Sequence, residues 1–179
     1  MLYNLRMTPP PAKNDEGMIR RRRRIVVVGP TGSGKTTLAR QLSQLLDVPH
    51  VELDALNWEA DWVTAPTNVF RQRVQEALER DSWIADGNYS VVRDLVWPRA
   101  AVLVWLDYPL RMVIWRLLYR TLQRTVRKEE LWNGNRERFF VQFFSRESLF
   151  LWMFRTYWRR RRTYPIVLKQ PEHSHLEVV

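Results

Sequence analysis

Cysteine is absent from this chain of 179 residues, which excludes disulfides and thiolate metal sites and agrees with a cytoplasmic location. Long apolar runs are absent as well. The longest candidate, LFLWMF at 149–154, is far shorter than the roughly 20 residues that span a bilayer. The start of the chain is polar and broken by prolines, so it lacks the apolar core of a signal peptide. We therefore expect a cytoplasmic protein with no membrane partner.

Acidic residues are in the minority, with 19 Asp and Glu against 29 Lys and Arg. The net charge of +10 and the pI of about 10.6 suit anionic partners such as nucleotides, nucleic acid or acidic lipid headgroups. A generally basic surface without a dedicated partner would give the same balance. Because 45% of the residues are hydrophobic, the chain holds enough apolar side chains for one globular domain.

Two parts of the chain differ in composition. Residues 1–19 have three consecutive prolines and no apolar period, which predicts a flexible tail. The remainder, 20–179, alternates apolar runs with helical patterns, which predicts one α/β domain with a parallel sheet between two layers of helices. The predicted strands are 25–28, 48–53, 82–85, 100–106 and 164–169. A charged stretch at 123–147, with NGN at 133–135, is interpreted as a lid.

The sequence GPTGSGKT matches the phosphate-binding pattern G-x-x-x-x-G-K-[ST] in full. Glycines allow positive φ, so successive N–H groups can point into one concavity at the start of the next helix. Lys35 can then reach the β- and γ-phosphates of ATP, and the Thr36 hydroxyl can hold Mg²⁺. The predicted nucleotide-binding residues are Gly29, Pro30, Thr31, Gly32, Ser33, Gly34, Lys35, Thr36 and Thr37.

Aspartates follow two of the predicted strands, in VELD at Asp54 and in SWIAD at Asp86. Ligands of open α/β sheets bind at the carboxyl ends of the strands, which favours functional roles for both residues. Asp86 is the candidate Mg²⁺ ligand, and Asp54 is the candidate that orients or deprotonates an acceptor hydroxyl. A helix cap is the alternative for each of them. Asp107 also ends a strand, but we predict that it caps the next helix.

Arginines recur on one face of the helix predicted after 100–106. Arg116, Arg120 and Arg127 lie within about 40° of each other on a helical wheel, and Arg124 lies roughly 40° further round. They oppose an apolar stripe formed by Leu110, Val113, Ile114, Leu117, Leu118 and Leu122. Such arginines either form a solvated basic face or clamp phosphates during transfer.

The segment LDYPLRMVIWRLLYR resembles adenylate kinases, in which Asp-x-Pro is followed by Arg-x-x-x-Arg. The resemblance implies that Arg116 lies beside the nucleotide and that its helix leads into a mobile lid. DGNY at 86–89 is similar to the Asp-Gly of nucleoside monophosphate kinases. However, Asn88-Tyr89 replaces the Pro-Arg that follows there, and the nearest arginine is Arg93. Over 25–168 the chain looks closest to small bacterial adenylate kinase-like proteins described as DNA topology modulation proteins.

The replaced arginine usually fixes a monophosphate acceptor in those kinases, so the acceptor here need not be a nucleotide. Shikimate and gluconate kinases share the architecture and place an acid near the end of the second strand, as Asp54 would be. Trp58 and Trp62 follow Asp54 and are candidates for the wall of an acceptor pocket, with burial in the core as the alternative.

The sequence therefore predicts a P-loop kinase that transfers phosphate from ATP·Mg²⁺ to a small acceptor. The predicted catalytic residues are Lys35, Asp54, Asp86, Arg116 and Arg120, and the predicted metal ligands are Thr36 and Asp86. No Asn-Lys-x-Asp guanine-reading motif of GTPases is present. The acceptor, the oligomeric state and the adenine-reading residues stay open, with KQPEH at 169–173 as a guess by position.

Two other classes of function use parts of the same sequence. A nucleic-acid-associated ATPase or regulator of DNA topology would use the arginine runs at 20–24 and 159–162. It is not favoured, because no helix-turn-helix, zinc finger or base-stacking platform is visible in the sequence. A degenerate binding module is disfavoured by the intact lysine and threonine of the phosphate loop.

Overall fold

A computed structural model describes residues 23–127, 131–135 and 149–179 of the chain. The tail predicted for 1–19 lies outside these residues. So does most of the predicted lid, of which only 123–127 and 131–135 are described.

Five parallel strands form one sheet with the order β2-β3-β1-β4-β5. They are β1 Arg24–Val28, β2 His50–Glu52, β3 Trp83–Asp86, β4 Val102–Trp105 and β5 Glu177–Val178. The first four strands lie in the segments predicted from sequence, because short β-branched and apolar runs between turn residues suit a sheet buried on both faces. Along β1, Val26 and Val28 join one hydrophobic cluster, and Ile25 and Val27 join another on the opposite face.

Helices cover both faces of this sheet, which confirms the three-layer α/β fold of P-loop proteins. They are α1 Lys35–Leu46, α2 Leu53–Asn57, α3 Thr67–Ala77, α4 Arg93–Val96, α5 Leu110–Arg127 and α6 Leu149–Val167. Single 3₁₀ turns lie at Ala60–Trp62, Ser90–Val92, Trp97–Arg99, Trp132–Gly134 and Pro171–His173. In the part of the chain that the structure describes, no helix has the length and apolar character of a membrane span.

The last strand was predicted wrongly. The segment 164–169 begins in the last turn of α6, and the fifth strand is instead the short β5 near the end of the chain. Tyr164 is buried on the same helical face as Met153 and Tyr157, so contact with the core overrides the strand preference of the Ile-Val pair. Pro165 lies within this helix and removes one backbone N–H donor. The helical hydrogen bonding continues past it, because Leu168 N donates to Tyr164 O at 2.9 Å. The 169–173 segment therefore precedes the last strand rather than following it.

Helix α5 departs from its predicted pattern on one side. Val113 and Leu117 are fully buried against Met153 and Tyr157, as the apolar period predicts. Leu122, however, is 53% exposed and does not belong to the buried stripe. It lies near Trp115 and Tyr119 on the wheel, and these are also exposed. The helix therefore has an outer apolar side as well as an inner one.

Candidate phosphoryl-transfer site

The phosphate loop connects β1 to α1, as the motif requires. Ser33 N donates to Pro30 O at 3.2 Å, which closes a tight turn within the loop. Gly34 has φ 93° and immediately precedes α1, a backbone conformation that favours glycine. Gly32 has φ 79°, and a Cβ there would lie 3.1 Å from Leu117 Cβ. The loop is therefore held between the start of α1 and the inner side of α5.

Lys35 is the first residue of α1 and lies among charged groups of both signs. Its Nζ donates to Pro30 O at 3.0 Å. Burial lowers the pKa of the Lys35 ammonium to about 8, while Asp54 and Asp86 act to raise it. Arg160 and Arg120 act to lower the same pKa. Two carboxylates and two guanidinium groups therefore surround one ammonium at the carboxyl edge of the sheet.

Asp86 ends β3 and is almost completely buried, with 2% of its surface exposed. Thr36 Oγ1 donates to its Oδ2 at 2.7 Å, and His50 Nε2 lies 2.7 Å from its Oδ1. A hydroxyl and a carboxylate are hard oxygen donors, so this pair fits Mg²⁺ held by one carboxylate together with phosphate oxygens. Among the described residues there is no group of three or more His, Asp or Glu that could hold a metal by itself.

Asp54 lies in the first turn of α2, two residues beyond the end of β2. Tyr89 Oη donates to Asp54 Oδ1 at 2.5 Å. Burial raises the pKa of the Asp54 carboxyl, although the Tyr89 hydrogen bond and the charge of Lys35 act to lower it. Burial also raises the pKa of the Tyr89 phenol, so that its hydroxyl keeps the proton that it donates.

Asn88 is a residue whose role sequence reasoning missed. Its Oδ1 accepts from Gly29 N at 3.2 Å and from Tyr164 Oη at 3.2 Å, and its Nδ2 donates to Gly29 O. The side-chain amide thus pairs with both backbone groups of the first glycine of the phosphate loop. The only signal in the sequence was the departure of DGNY from the Asp-Gly-Phe-Pro-Arg pattern.

Arg116 and Arg120 both contribute to the surroundings of the phosphate loop. Arg116 Nη1 donates to Ser33 O at 3.2 Å, and its guanidinium lies 4.6 Å from the centre of the Tyr108 ring. The charge of Arg120 acts to lower the pKa values of both Lys35 and Asp54. The side chain of Arg127 lies outside the described part of the structure.

Two arginines of α6 have partners within the protein. They belong to the run at 159–162, which only the unfavoured nucleic-acid alternative would use. Arg160 influences Lys35, and Arg161 Nη2 pairs with Asp107 Oδ2 at 2.9 Å. Asp107 therefore forms an ion pair with α6, in place of the predicted helix cap, and α5 begins three residues later. Helical spacing across 149–167 would have revealed Arg160, because it lies near Tyr157 and Tyr164 on the wheel.

The described piece of the predicted lid docks beside Asp54. Asn135 Oδ1 accepts from Trp62 N at 2.8 Å, and its Nδ2 donates to Glu59 O at 2.7 Å. The rings of Trp58 and Trp62 meet edge to face at 5.5 Å, and Trp132 lies 6.4 Å from Trp62. Both tryptophans after Asp54 are partly exposed, so neither is a fully buried core residue.

Comparisons with known proteins show the following similarities. Residues 25–88 match the profile of the ATPase family associated with various cellular activities (AAA). The matched segment includes the phosphate loop and ends two residues after β3. Among solved structures, the shikimate kinase of Acinetobacter baumannii in complex with shikimate is similar at 23% identity and a TM-score of 0.49, covering 87% of this chain and 81% of that one. A gluconokinase from Sinorhizobium meliloti 1021 is similar at 17% identity and a TM-score of 0.45, covering 84% and 99%.

A sugar kinase from Janibacter sp. HTCC2649 is similar at 17% identity and a TM-score of 0.48, covering 87% of this chain and 83% of that one. At these identities and scores, the activities of those proteins do not transfer to this chain. The fold rests on the strand order and the loop geometry described above.

Proposed function

We propose that this protein is a P-loop phosphotransferase that moves the γ-phosphoryl group of ATP to a hydroxyl of a small acceptor. The observation that carries the proposal is that Asp86 and Asp54 have different hydrogen-bond partners. Asp86 is engaged by Thr36 of the phosphate loop, whereas Asp54 is held apart by Tyr89, and both act on the charge of Lys35. A protein that bound nucleotide without transferring phosphate would need the first acid and not the second.

In the proposed reaction, an acceptor hydroxyl attacks the γ-phosphorus and the bond to the β,γ-bridging oxygen breaks. Asp54 receives the hydroxyl proton, and ADP leaves. Lys35, Arg116 and Arg120 stabilise the negative charge on the phosphate oxygens as it redistributes. Thr36 and Asp86 are the groups that would hold Mg²⁺, which neutralises charge on the β- and γ-phosphates when bound.

The acceptor is a small hydroxyl compound or a nucleoside monophosphate; in the second case an ionised phosphate oxygen would attack, and Asp54 would orient the acceptor without receiving a proton. The acceptor pocket would be lined by an aromatic cluster, which consists of Trp58, Trp62 and Trp132. The resemblance to DNA topology modulation proteins, the cytoplasmic location and the absence of a membrane partner stay predictions. The nucleic-acid alternative loses part of its support, because Arg160 and Arg161 are engaged within the protein.

A screen of acceptors with γ-labelled ATP and Mg²⁺ tests the proposal. It should include nucleoside monophosphates, sugars and sugar acids. Label should appear on one class of acceptor and should depend on Asp54, while hydrolysis without acceptor stays slow. Label that reaches only inorganic phosphate, equally in wild type and in Asp54→Asn, would contradict the transferase. Salt-resistant, sub-micromolar binding to duplex DNA in gel shifts would favour the nucleic-acid alternative.

A further inference from the structure

We infer that Tyr89 is a positioning residue that determines which oxygen of Asp54 faces the acceptor. The inference rests on the proposed function, since it concerns how Asp54 takes the proton. No role for Tyr89 follows from the phosphate loop or from the arginines. It emerges only from the contact between two segments that are 35 residues apart in the chain.

The phenol of Tyr89 is held in place from three directions. Its ring packs edge to face on Phe70, with the ring centres 5.0 Å apart, and Phe70 is 1% exposed. Its chain neighbour Asn88 is pinned to the phosphate loop through Gly29. Two residues before Tyr89, Gly87 N donates to Val27 O at 3.3 Å. The hydroxyl therefore has little freedom to leave Asp54.

The two oxygens of the Asp54 carboxylate are not equivalent. Oδ1 accepts the Tyr89 hydroxyl at 2.5 Å. Oδ2 is therefore the oxygen that we assign to the acceptor hydroxyl. A carboxylate rotates freely about its Cβ–Cγ bond unless a hydrogen bond holds it. The Tyr89 hydroxyl is such a donor, so Asp54 would turn the same oxygen toward the acceptor in every catalytic cycle. A base that is already oriented lowers the barrier to proton transfer.

The hydrogen bond also affects when Asp54 is ionised. Burial raises the pKa of Asp54, and the largest opposing effect comes from Tyr89, ahead of that from Lys35. The charged groups that face Asp54 from neighbouring elements are Lys35, Glu52, Asp86, Arg120 and Arg160. All of them stay when the Tyr89 hydroxyl is removed. Its loss should therefore raise the pKa of Asp54 and leave less carboxylate at low pH.

The test is the pH profile of kcat in Tyr89→Phe, which keeps the ring on Phe70 and removes one oxygen. We expect kcat at neutral pH to fall by about tenfold, because the variant loses a hydrogen bond to a charged group. The acidic limb of the profile should move to higher pH, and the KM for ATP should change less than about twofold. A merely structural tyrosine would lower kcat at all pH values without moving the limb.

Tyr157→Phe is the matched control, since it removes a hydroxyl that donates to Tyr108 O at 3.0 Å in a different core cluster. Its acidic limb should stay where the wild-type limb lies. An unmoved limb in Tyr89→Phe, or an equal shift in both variants, overturns the inference. If Tyr89→Phe fails to fold, 3-fluorotyrosine at 89 keeps the shape and strengthens the donor, so the limb should move to lower pH.

A separate readout distinguishes this inference from the proposed function. In protein labelled with ¹³C-aspartate, the Asp54 carboxyl should titrate at higher pH in Tyr89→Phe than in wild type. If wild type transfers phosphate to no acceptor, the proposed function fails whatever this titration shows. If wild type transfers phosphate and neither the Asp54 titration nor the limb moves in the variant, only the inference fails.

Discussion

Asp54 and Asp86 look alike in the sequence and differ in their surroundings. Each follows a strand at the carboxyl edge of the sheet, and β2 and β3 are direct neighbours, with Glu52 opposite Asp86. Asp86 is buried between Thr36 and His50, whereas Asp54 accepts a hydrogen bond from Tyr89. The partner of a carboxylate, rather than its place on the strand, decides which chemistry is open to it.

The ionised form of Asp54 also costs the folded state free energy. Burial of Asp54 is not fully compensated, because its pKa stays above the ordinary value of 3.8 even with Tyr89 and Lys35 nearby. The folded state then binds more protons than the unfolded state as the pH rises from 3.8 to the folded pKa, so ionised Asp54 lowers the free energy of unfolding. A cost of this kind is typical of a group that is kept for function.

The largest effect that separates the two acids is expected from Asp54→Asn. The amide cannot accept the proton, so kcat for transfer should fall by roughly 10² to 10⁴-fold, while the affinity for ATP changes little. Single-turnover transfer and equilibrium nucleotide binding measure the two quantities. Asp94→Asn makes the same change in an exposed pair with Arg71 and should leave both as they are. If Asp54→Asn kept wild-type turnover, Asp54 would be a helix cap and not a catalytic base.

Arg120→Ala should give the next largest effect, since the charge of Arg120 acts on both Lys35 and Asp54. We expect kcat to fall by roughly 10²-fold, about 3 kcal/mol, with a much smaller loss of nucleotide affinity. Arg120→Lys keeps the charge, loses the planar fork and should also be impaired. The exposed Arg111 of the same helix supplies the control variant. Loss of affinity with unchanged kcat would show that Arg120 contacts the ground state only.

Lys35→Ala removes the ammonium group whose charge interacts with both Asp54 and Asp86. Nucleotide affinity or turnover should fall by at least about tenfold with the fold unchanged, because the ammonium is the one side-chain charge of the loop aimed at the phosphates. Isothermal titration with a non-hydrolysable ATP analogue measures the affinity, and circular dichroism checks the fold. Near-wild-type activity would remove the phosphate-loop assignment itself.

Asp86→Asn should act on the metal rather than on the acceptor. We expect the Mg²⁺ concentration that gives half-maximal activity to rise by about tenfold or more, with a partial recovery of kcat at saturating Mg²⁺. In Asp54→Asn, by contrast, added Mg²⁺ should recover nothing. If both variants needed the same Mg²⁺ concentration for half-maximal activity, the assignment of Asp86 to the metal and of Asp54 to the acceptor would be wrong.

Much of the site could be predicted from sequence because it is local. The loop from Gly29 to Thr37 carries its own backbone requirements, and buried apolar runs indicate β1 to β4 without knowledge of their partners. The contacts of Asn88 and Tyr89 could not be predicted, since they join segments far apart in the chain. The strand predicted at 164–169 failed for the same reason, because only packing against Trp97 and Trp105 reveals that Tyr164 belongs to a helix.

The smallest and most discriminating effect is on stability, where the same substitution should have opposite signs at the two acids. In Asp86→Asn an amide with one acceptor oxygen meets two donors, so the free energy of unfolding should fall by about 1–3 kcal/mol at pH 7. In Asp54→Asn the amide still accepts from Tyr89 and removes a charge that burial disfavours, so the free energy of unfolding should rise by up to about 1 kcal/mol.

Urea denaturation of both variants against wild type, from pH 7 down to pH 4, measures these differences. Because Asp54 becomes protonated in the folded wild type as the pH falls, the gain from Asp54→Asn should shrink toward its ordinary pKa of 3.8. The loss in Asp86→Asn at pH 7 should not turn into a gain at any pH in that range. If both variants were destabilised alike at pH 7, Asp54 would be a structural acid like its neighbour, and the claim that its burial is a cost kept for catalysis would be wrong.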